Sequence, residues 1–285
     1  MPRFGAESGR PGRATIAIVS SGGAASPRRS TFDTVAELYD AARPRYPDDL
    51  IDAVVRLCGL RVGDRVLEVG SGTGIATAPL LERGLVVTGI ELGGRLADVA
   101  RARLAGFPNV EIITADFETW TSTERFDAIV SATAWHWIDP AVAYPKAARL
   151  LRPGGPLAVW TASHVFPVGG DSFFREIQDV YDEIGEGLPP DAVWPEPDDL
   201  TPHDLQAASA GRFATTAVER FSWEIVYDGD AYIDLLNTFS GHITMEPWQR
   251  ERLYGAIRQR LNNRPDRRLR RGWGAVLEVA ARRSR

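Results

Sequence analysis

A short apolar run that passes through one acid into three glycines at alternate positions, V-L-E-V-G-S-G-T-G over residues 66–74, constrains the fold of this chain more than any other feature. The apolar residues suit a buried strand, and the glycines permit positive φ and leave bare backbone in the turn that follows. A strand, turn and helix of this kind open a doubly wound sheet and set the turn against a nucleoside-bearing ligand. A second apolar run over residues 85–90 ends in Glu91. That is the spacing, roughly 20 residues on, at which a carboxylate can take the ribose hydroxyls.

The rest of the chain repeats the pattern. Strands are expected at Val66–Val69, Val86–Ile90, Val110–Thr114, Phe126–Ser131 and Leu157–Thr161, with helices starting at Thr73, Arg95 and Ala141. Such alternation specifies an α/β fold, a doubly wound, mostly parallel sheet with helices on both faces, whose ligands gather at the carboxyl ends of the strands. Ahead of it, Phe32–Tyr46 reads as a local helix stopped by Pro47. Leu50, Ile51, Val54, Val55 and Cys58 then form a helical stripe that closes near Gly59. After Thr161 the regularity weakens. A helix is expected over Phe173–Ile184, a loop over Leu188–Pro202, a strand at Phe221–Tyr227, helices at Asp230–Phe239 and Glu246–Leu261, and a last strand at Ala275–Ala280.

With 33 basic and 38 acidic residues the formal net charge is −5, so the overall field disfavours nucleic acid and acidic membrane surfaces and makes a small molecule the default partner. The single cysteine, Cys58, cannot form an internal disulfide, which fits a cytoplasmic setting. Residues 1–30 are rich in Gly, Ser, Ala and Arg and are expected to be a disordered tail without a targeting core. No segment approaches the roughly 18 apolar residues of a membrane span. The basic run Arg264–Arg271 reads as a solvated, loop-borne charge cluster.

The glycine spacing separates two cofactors. A dinucleotide fingerprint, G-x-G-x-x-G, seats a pyrophosphate on the helix N-terminus, but here the third glycine comes one place early and Ile75 fills the expected slot. A carboxylate at Glu68 would repel a pyrophosphate and suits a ligand with positive charge near the turn. S-adenosylmethionine, with an ammonium and a sulfonium, has that character.

Four landmarks stand in order: residues 66–74, Glu91 at the end of the second strand, Thr114-Ala115-Asp116-Phe117 after the third, and Leu151-Arg152-Pro153-Gly154-Gly155 before the fifth. Together they resemble a class I S-adenosylmethionine-dependent methyltransferase of the small-molecule, type 11 or trans-aconitate methyltransferase-like group, across roughly residues 31–161. The resemblance implies a Rossmann-like, seven-stranded sheet with an antiparallel edge. It divides residues 31–285 into an N-terminal helical cap (31–62), a cofactor-binding core (63–161), and a C-terminal helical lid insertion with edge strands (162–285).

It also implies that Gly70, Ser71, Gly72, Thr73 and Gly74, with Glu68 before them, line the methionine moiety of the cofactor, that Glu91 holds the ribose, and that Asp116 accepts from the adenine amino group. Leu92 and Phe117 would flank the ring. Ala132 and Trp135, after the fourth strand, belong with the cofactor contacts. In the segment Tyr39-x-x-x-Arg43-Pro44-x-Tyr46-Pro47, Tyr39 and Arg43 would close over the cofactor, the arginine clamping its carboxylate or that of a substrate. No metal ligand set is expected.

Within Ala134-Trp135-His136-Trp137, His136 is the candidate catalytic residue, a general base near neutral pH. It reads equally as a ligand contact or as a structural histidine with tryptophans packing the sheet edge. Trp194, His164, Phe239, His242 and Trp248 are lid candidates. The functional expectation is methyl transfer to an oxygen, nitrogen or carboxylate of a small metabolite by a monomer or homodimer. The alternatives are a non-catalytic cofactor-binding module and an NAD-dependent oxidoreductase. Ala132-Thr133-Ala134-Trp135 replaces the N-P-P-Y type tetrapeptide of base-amino methyltransferases, which argues against a nucleic-acid acceptor.

Overall fold

The computed structural model describes residues 32–189 and 192–283. The tail expected at 1–30 lies outside the described residues. The elements are a 3-10 turn at Phe32–Val35, then α1 (Ala36–Ala42), α2 (Asp48–Leu57), β1 (Arg65–Val69), α3 (Thr77–Glu82), β2 (Val86–Glu91), α4 (Gly94–Leu104), β3 (Val110–Thr114) and β4 (Ala128–Ala132). A 3-10 turn at Trp135–Trp137 leads into α5 (Pro140–Leu150) and β5 (Pro156–Val165). The C-terminal half holds α6 (Phe173–Glu176), α7 (Gln178–Glu183), α8 (Leu205–Ala208), β6 (Phe213–Tyr227), α9 (Gly229–Leu236), α10 (Ser240–Ile243), α11 (Pro247–Asn262) and β7 (Leu269–Arg282).

The strands form one seven-stranded sheet in the order β3-β2-β1-β4-β5-β7-β6, in which β1 to β5 run parallel and β7 is antiparallel to both neighbours. The order reverses between β1 and β4, where a doubly wound sheet opens a crevice at its carboxyl edge. Side chains alternate across the sheet. Val66 packs with Leu50 and Ile51 of α2, Leu80 of α3 and Leu104 of α4, whereas Leu67 and Val69 pack with Ala143, Ala147 and Leu150 of α5. The N-terminal segment is tied to this frame through Asp33, whose Oδ1 accepts from the backbone N–H groups of Arg95 (2.7 Å) and Leu96 (3.1 Å) at the start of α4.

Three elements differ from expectation in ways that matter for the site. The helix expected over Phe173–Ile184 is two short pieces, because the Gln178 side-chain amide takes the Phe174 carbonyl (2.8 Å), the acceptor that a continuous helix would give to the Gln178 backbone. The helix expected from Thr73 starts at Thr77, after a turn. The last strand begins at Leu269 instead of Ala275, and β5 runs on to Val165, so a long antiparallel edge projects past the carboxyl ends of β1, β2 and β4. A third core, built from Phe173, Val180, Tyr232, Leu235, Leu253, Ile257 and Trp273, packs α6, α7, α9 and α11 against that projection.

Candidate active site

A cavity of about 440 Å³ lies over the carboxyl ends of β1, β2 and β4. At its inner end stand the backbone of Gly70 and Gly72 and the carboxylates of Glu91 and Asp116. Gly70 has φ +75°, and a Cβ on it would lie 2.3 Å from that of Ala134, so only glycine lets β1 pass so close to the loop after β4. Gly72 has φ +55° with open space where its Cβ would be, and thus presents bare backbone to the cavity. Glu91 fastens the two strand ends together: Oε2 accepts from Gly72 N and Oε1 from Gly93 N, both at 2.8 Å. Burial raises its pKa, backbone N–H groups of Gly93, Gly72 and Leu92 oppose that, and the charge of Asp33 adds to it. Each oxygen keeps a lone pair for a ligand hydroxyl.

Asp116 Oδ1 accepts from Glu118 N (2.8 Å), leaving Oδ2 for a donor. Its loop is anchored by Lys146 of α5, a buried ammonium that donates to the carbonyls of Phe117, Trp120 and, at 3.3 Å, Glu118. Nothing in the sequence motifs marks Lys146. Leu92, Phe117, Ala132, Tyr39, Arg43 and His136 line the same cavity.

Glu68, Ser71, Thr73, Gly74 and Trp135 do not. The side chains of Glu68, Ser71 and Thr73 are buried behind the turn, and Gly74 packs against Leu104 and Ala100 of α4. Thr77 Oγ1 donates to Glu68 Oε2 (2.6 Å), and Oε1 has no partner. Burial, with Glu91 adding repulsion, pushes the Glu68 pKa to about 8. The carboxylate charge expected at the turn is therefore a neutral acid at pH 7. Trp135 is likewise buried, its ring centre 6.1 Å from Phe117 and 5.6 Å from Tyr144.

Thr133, immediately after β4, sits at φ +58°, a strained setting for a β-branched residue. Three hydrogen bonds hold it: its N–H to Trp160 O (2.7 Å), its Oγ1 to the Tyr46 hydroxyl (3.0 Å), and Ala162 N to the same Oγ1 (3.2 Å). His136 follows on the cavity wall, its ring centre 4.8 Å from that of Trp137. Enclosure by protein, and then the nearby His203, lower its pKa to about 4. The His136 side chain is nevertheless exposed to solvent, so the fall is smaller than enclosure alone would give. The imidazole is thus neutral and weakly basic, not poised near pH 7. His203 itself bonds Thr161 Oγ1 (3.1 Å).

The outer end is walled by the C-terminal half. Of the lid candidates, Trp194, Phe239 and His242 line the cavity. His164 is packed beneath it, 4.5 Å from Trp273 and 5.2 Å from Phe239, and Trp248 is 57% exposed on α11. The Arg43 guanidinium lies between the rings of Tyr39 (4.8 Å) and Phe239 (4.2 Å) and donates to Thr238 O (2.8 Å), joining α1 to the segment after α9. The basic run is not a solvated loop throughout. Arg264 pairs with Asp171 (2.8 Å) and Arg270 with Asp266 (3.4 Å), but Arg271 is 3% exposed and lines the cavity, because β7 starts early enough to turn it inward.

The sequence model of the family described as a methyltransferase domain matches residues 67–159. An uncharacterized methyltransferase of Mycobacterium tuberculosis is 30% identical over 235 residues, covering 82% of this chain and 87% of the relative. The chain belongs to the class I S-adenosylmethionine-dependent methyltransferases. A demethylmenaquinone methyltransferase of Tropheryma whipplei is 32% identical over 142 residues, covering 48% of this chain and 59% of the relative. The solved structure of a protein from Anaeromyxobacter dehalogenans, described as a type II methyltransferase, superposes with a TM-score of 0.57 at 25% identity, covering 83% of this chain and 97% of the other.

The methyltransferase uses S-adenosylmethionine, and the dinucleotide reading falls away. The donor set fits that cofactor: Gly72 offers backbone without a side chain in front of it, while Glu91 and Asp116 both retain unused acceptor capacity. Among the described residues no group of three or more metal-ligating side chains occurs, and no helix is long and apolar enough to cross a membrane.

Proposed function

We propose that the methyltransferase transfers a methyl group to an oxygen, nitrogen or carboxylate of a small molecule held in the outer half of the cavity. The observation that carries this reading is the enclosure itself. The C-terminal helices and the projecting β5–β7 edge wall the outer half of the cavity with Phe166, Phe174, Trp194 and Phe239, which favours a compact, partly apolar molecule over a polymer strand.

In this reading Gly70 and Gly72 bind the methionine moiety through backbone, Glu91 the ribose and Asp116 the adenine amino group, with Leu92, Phe117 and Ala132 around them. Tyr39 and Arg43 close the N-terminal cap over that end. Bound there, S-adenosylmethionine would supply an activated methyl group on a sulfonium that becomes a neutral thioether on transfer. Little charge then needs stabilising, so the protein acts mainly by alignment and by excluding water. Thr133, held rigidly by Tyr46 and Ala162, sets the wall at the reacting end. His136, neutral at physiological pH, takes the proton of an acceptor hydroxyl as transfer makes that oxygen strongly acidic, whereas an amine acceptor reacts in its neutral form and releases its proton to water. Its low basicity suits an acceptor that loses its proton late, and a carboxylate acceptor needs no base. A net charge of −5 supports the absence of nucleic-acid and membrane partners. A cytoplasmic monomer or homodimer completes the proposal.

Methyl-labelled S-adenosylmethionine incubated with the enzyme and a fractionated cell extract tests it. Label is expected in the small-molecule fraction. Label confined to nucleic acid or protein would refute the acceptor class, and cofactor binding with no transfer to any fraction would favour a non-catalytic module.

A further inference from the structure

The projecting edge places its side chains with period two. Ala162 and His164 of β5 stand opposite Ala275 and Trp273 of β7, and Phe166 and Arg271 follow directly beyond the last paired residues, Val165 and Gly272; Ala162, Phe166 and Trp273 pack into the core of the C-terminal helices. Arg271 is the odd member, a guanidinium among aromatic rings. Its charge lies 4.7 Å from the Phe166 ring centre and 4.2 Å from that of Phe174. Among the described residues it makes no ion pair, and its buried Nε has no acceptor. Its basic neighbours Arg264 and Arg270 both have carboxylate partners. The polar groups that act on it are the hydroxyls of Tyr232, Tyr181 and Tyr227, the last unpartnered; the Tyr181 hydroxyl lies 3.0 Å from His242 Nε2, whose ring Nδ1 is also unpartnered, and Glu186, a carboxylate that lines the same cavity, is exposed and forms no ion pair with it. Arg43 adds a second positive charge to the same chamber.

An unpaired buried charge is costly, and a fold keeps one where a ligand completes the pair. We propose that the acceptor is an elongated anion whose carboxylate or phosphate head pairs with Arg271 and whose apolar body lies among Phe166, Phe174 and Phe239. This rests on the methyl-transfer reading above. The head is not the methylated atom. Thr133 marks the reacting end through its bond from Ala162 N, Ala162 pairs with Ala275, and Arg271 lies four positions further along β7. That is roughly 13 Å of strand, beyond what an arginine side chain spans. The nucleophilic atom therefore sits at the opposite end of the acceptor from its charge.

Titration calorimetry with 3-phenylpropionate, 2-phenylethyl phosphate and the neutral 3-phenylpropanamide tests this, on the full chain with and without S-adenosylhomocysteine. At least one anion is expected to bind the wild type ten-fold or more tighter than the amide, the tighter of the two naming the head group. Arg271→Met is expected to abolish that preference while leaving amide binding and S-adenosylhomocysteine binding within about two-fold. Arg271→Lys keeps the charge without the fork and is expected to retain only part of that preference; should the methionine variant fail to fold, an undiminished preference in Arg271→Lys overturns the proposal. Equal binding of anion and amide to the wild type, failure of both anions to bind, or a preference that survives Arg271→Met overturns the proposal. Failure of S-adenosylhomocysteine to bind the wild type would instead strike the methyl-transfer reading, since the anion preference is also measured without it.

Discussion

Replacing Glu68 with glutamine should make the protein more stable at alkaline pH, the opposite of what loss of a salt-bridged acid would do. Glu68 is 1% exposed, one oxygen accepts from Thr77 Oγ1, the other has no partner, and its pKa is raised from the usual 4.5 to about 8. Between those two values the native state holds a proton that the unfolded chain has released. The stability this gives is fully present below pH 4.5 and is lost as the pH rises through 8. Integrated over the window, the loss approaches roughly 5 kcal/mol, an upper figure because the site can relax. Glutamine mimics the protonated acid and keeps an oxygen for Thr77, so the Glu68→Gln variant should lack this pH dependence. Urea denaturation of both proteins at half-unit intervals from pH 5 to pH 8.5 measures it. The wild-type minus variant difference should move steadily against the wild type as pH rises. A difference that stays flat, or moves in the wild type's favour, would refute the argument that Glu68 is a buried neutral acid.

Two further substitutions separate fold from ligand at the turn. Gly70→Ala meets Ala134 and a φ of +75°, so it should lower the unfolding free energy by at least the 1–2 kcal/mol or so of a left-handed alanine, seen as a reduced denaturation midpoint. Gly72→Ala projects into open cavity, so it should cost about 1 kcal/mol of stability yet weaken S-adenosylhomocysteine ten-fold or more by calorimetry. Intact affinity would remove Gly72 from the cofactor surface. If His136 takes the proton, His136→Asn should slow turnover a hundred-fold or more with S-adenosylhomocysteine affinity unchanged. Because its pKa is lowered toward 4, the wild-type rate should be level from pH 6 to pH 8 instead of rising through 6.5. A rate that climbs across that range would contradict the neutral, weakly basic assignment.

The parts of the molecule legible in the sequence are those set by short-range pattern. The apolar run and glycines of residues 66–74 place β1 and its turn, and Glu91 closes β2, because strand burial and positive φ leave direct traces in residue type. What the turn does residue by residue is less legible. Gly70 and Gly72 face the cavity while Ser71 and Thr73 point into the protein, and the charge of Glu68 depends on burial by elements far along the chain. Lys146 reaches the Asp116 loop across about thirty residues of sequence, and no local pattern reports that. Arg271 was concealed by its neighbours. Residues 264–271 have the composition of a solvated loop, yet Leu269, Arg271 and Trp273 alternate inward with the period of a strand, and that alternation was the available sign. The Phe173–Ile184 periodicity correctly gave a buried helical face but could not report that Gln178 competes for the Phe174 carbonyl and divides it.

The ribose contact proposed for Glu91 tests the account most directly, since the proposed placement of the cofactor in the cavity is oriented by it. Calorimetry with S-adenosylhomocysteine should show Glu91→Ala weakening binding by about 1.5–3 kcal/mol, the range for hydrogen bonds to a charged group. An analogue lacking both ribose hydroxyls should lose a similar amount on the wild type and nothing further on the variant. Unchanged affinity in Glu91→Ala, or losses from analogue and variant that simply add, would contradict it.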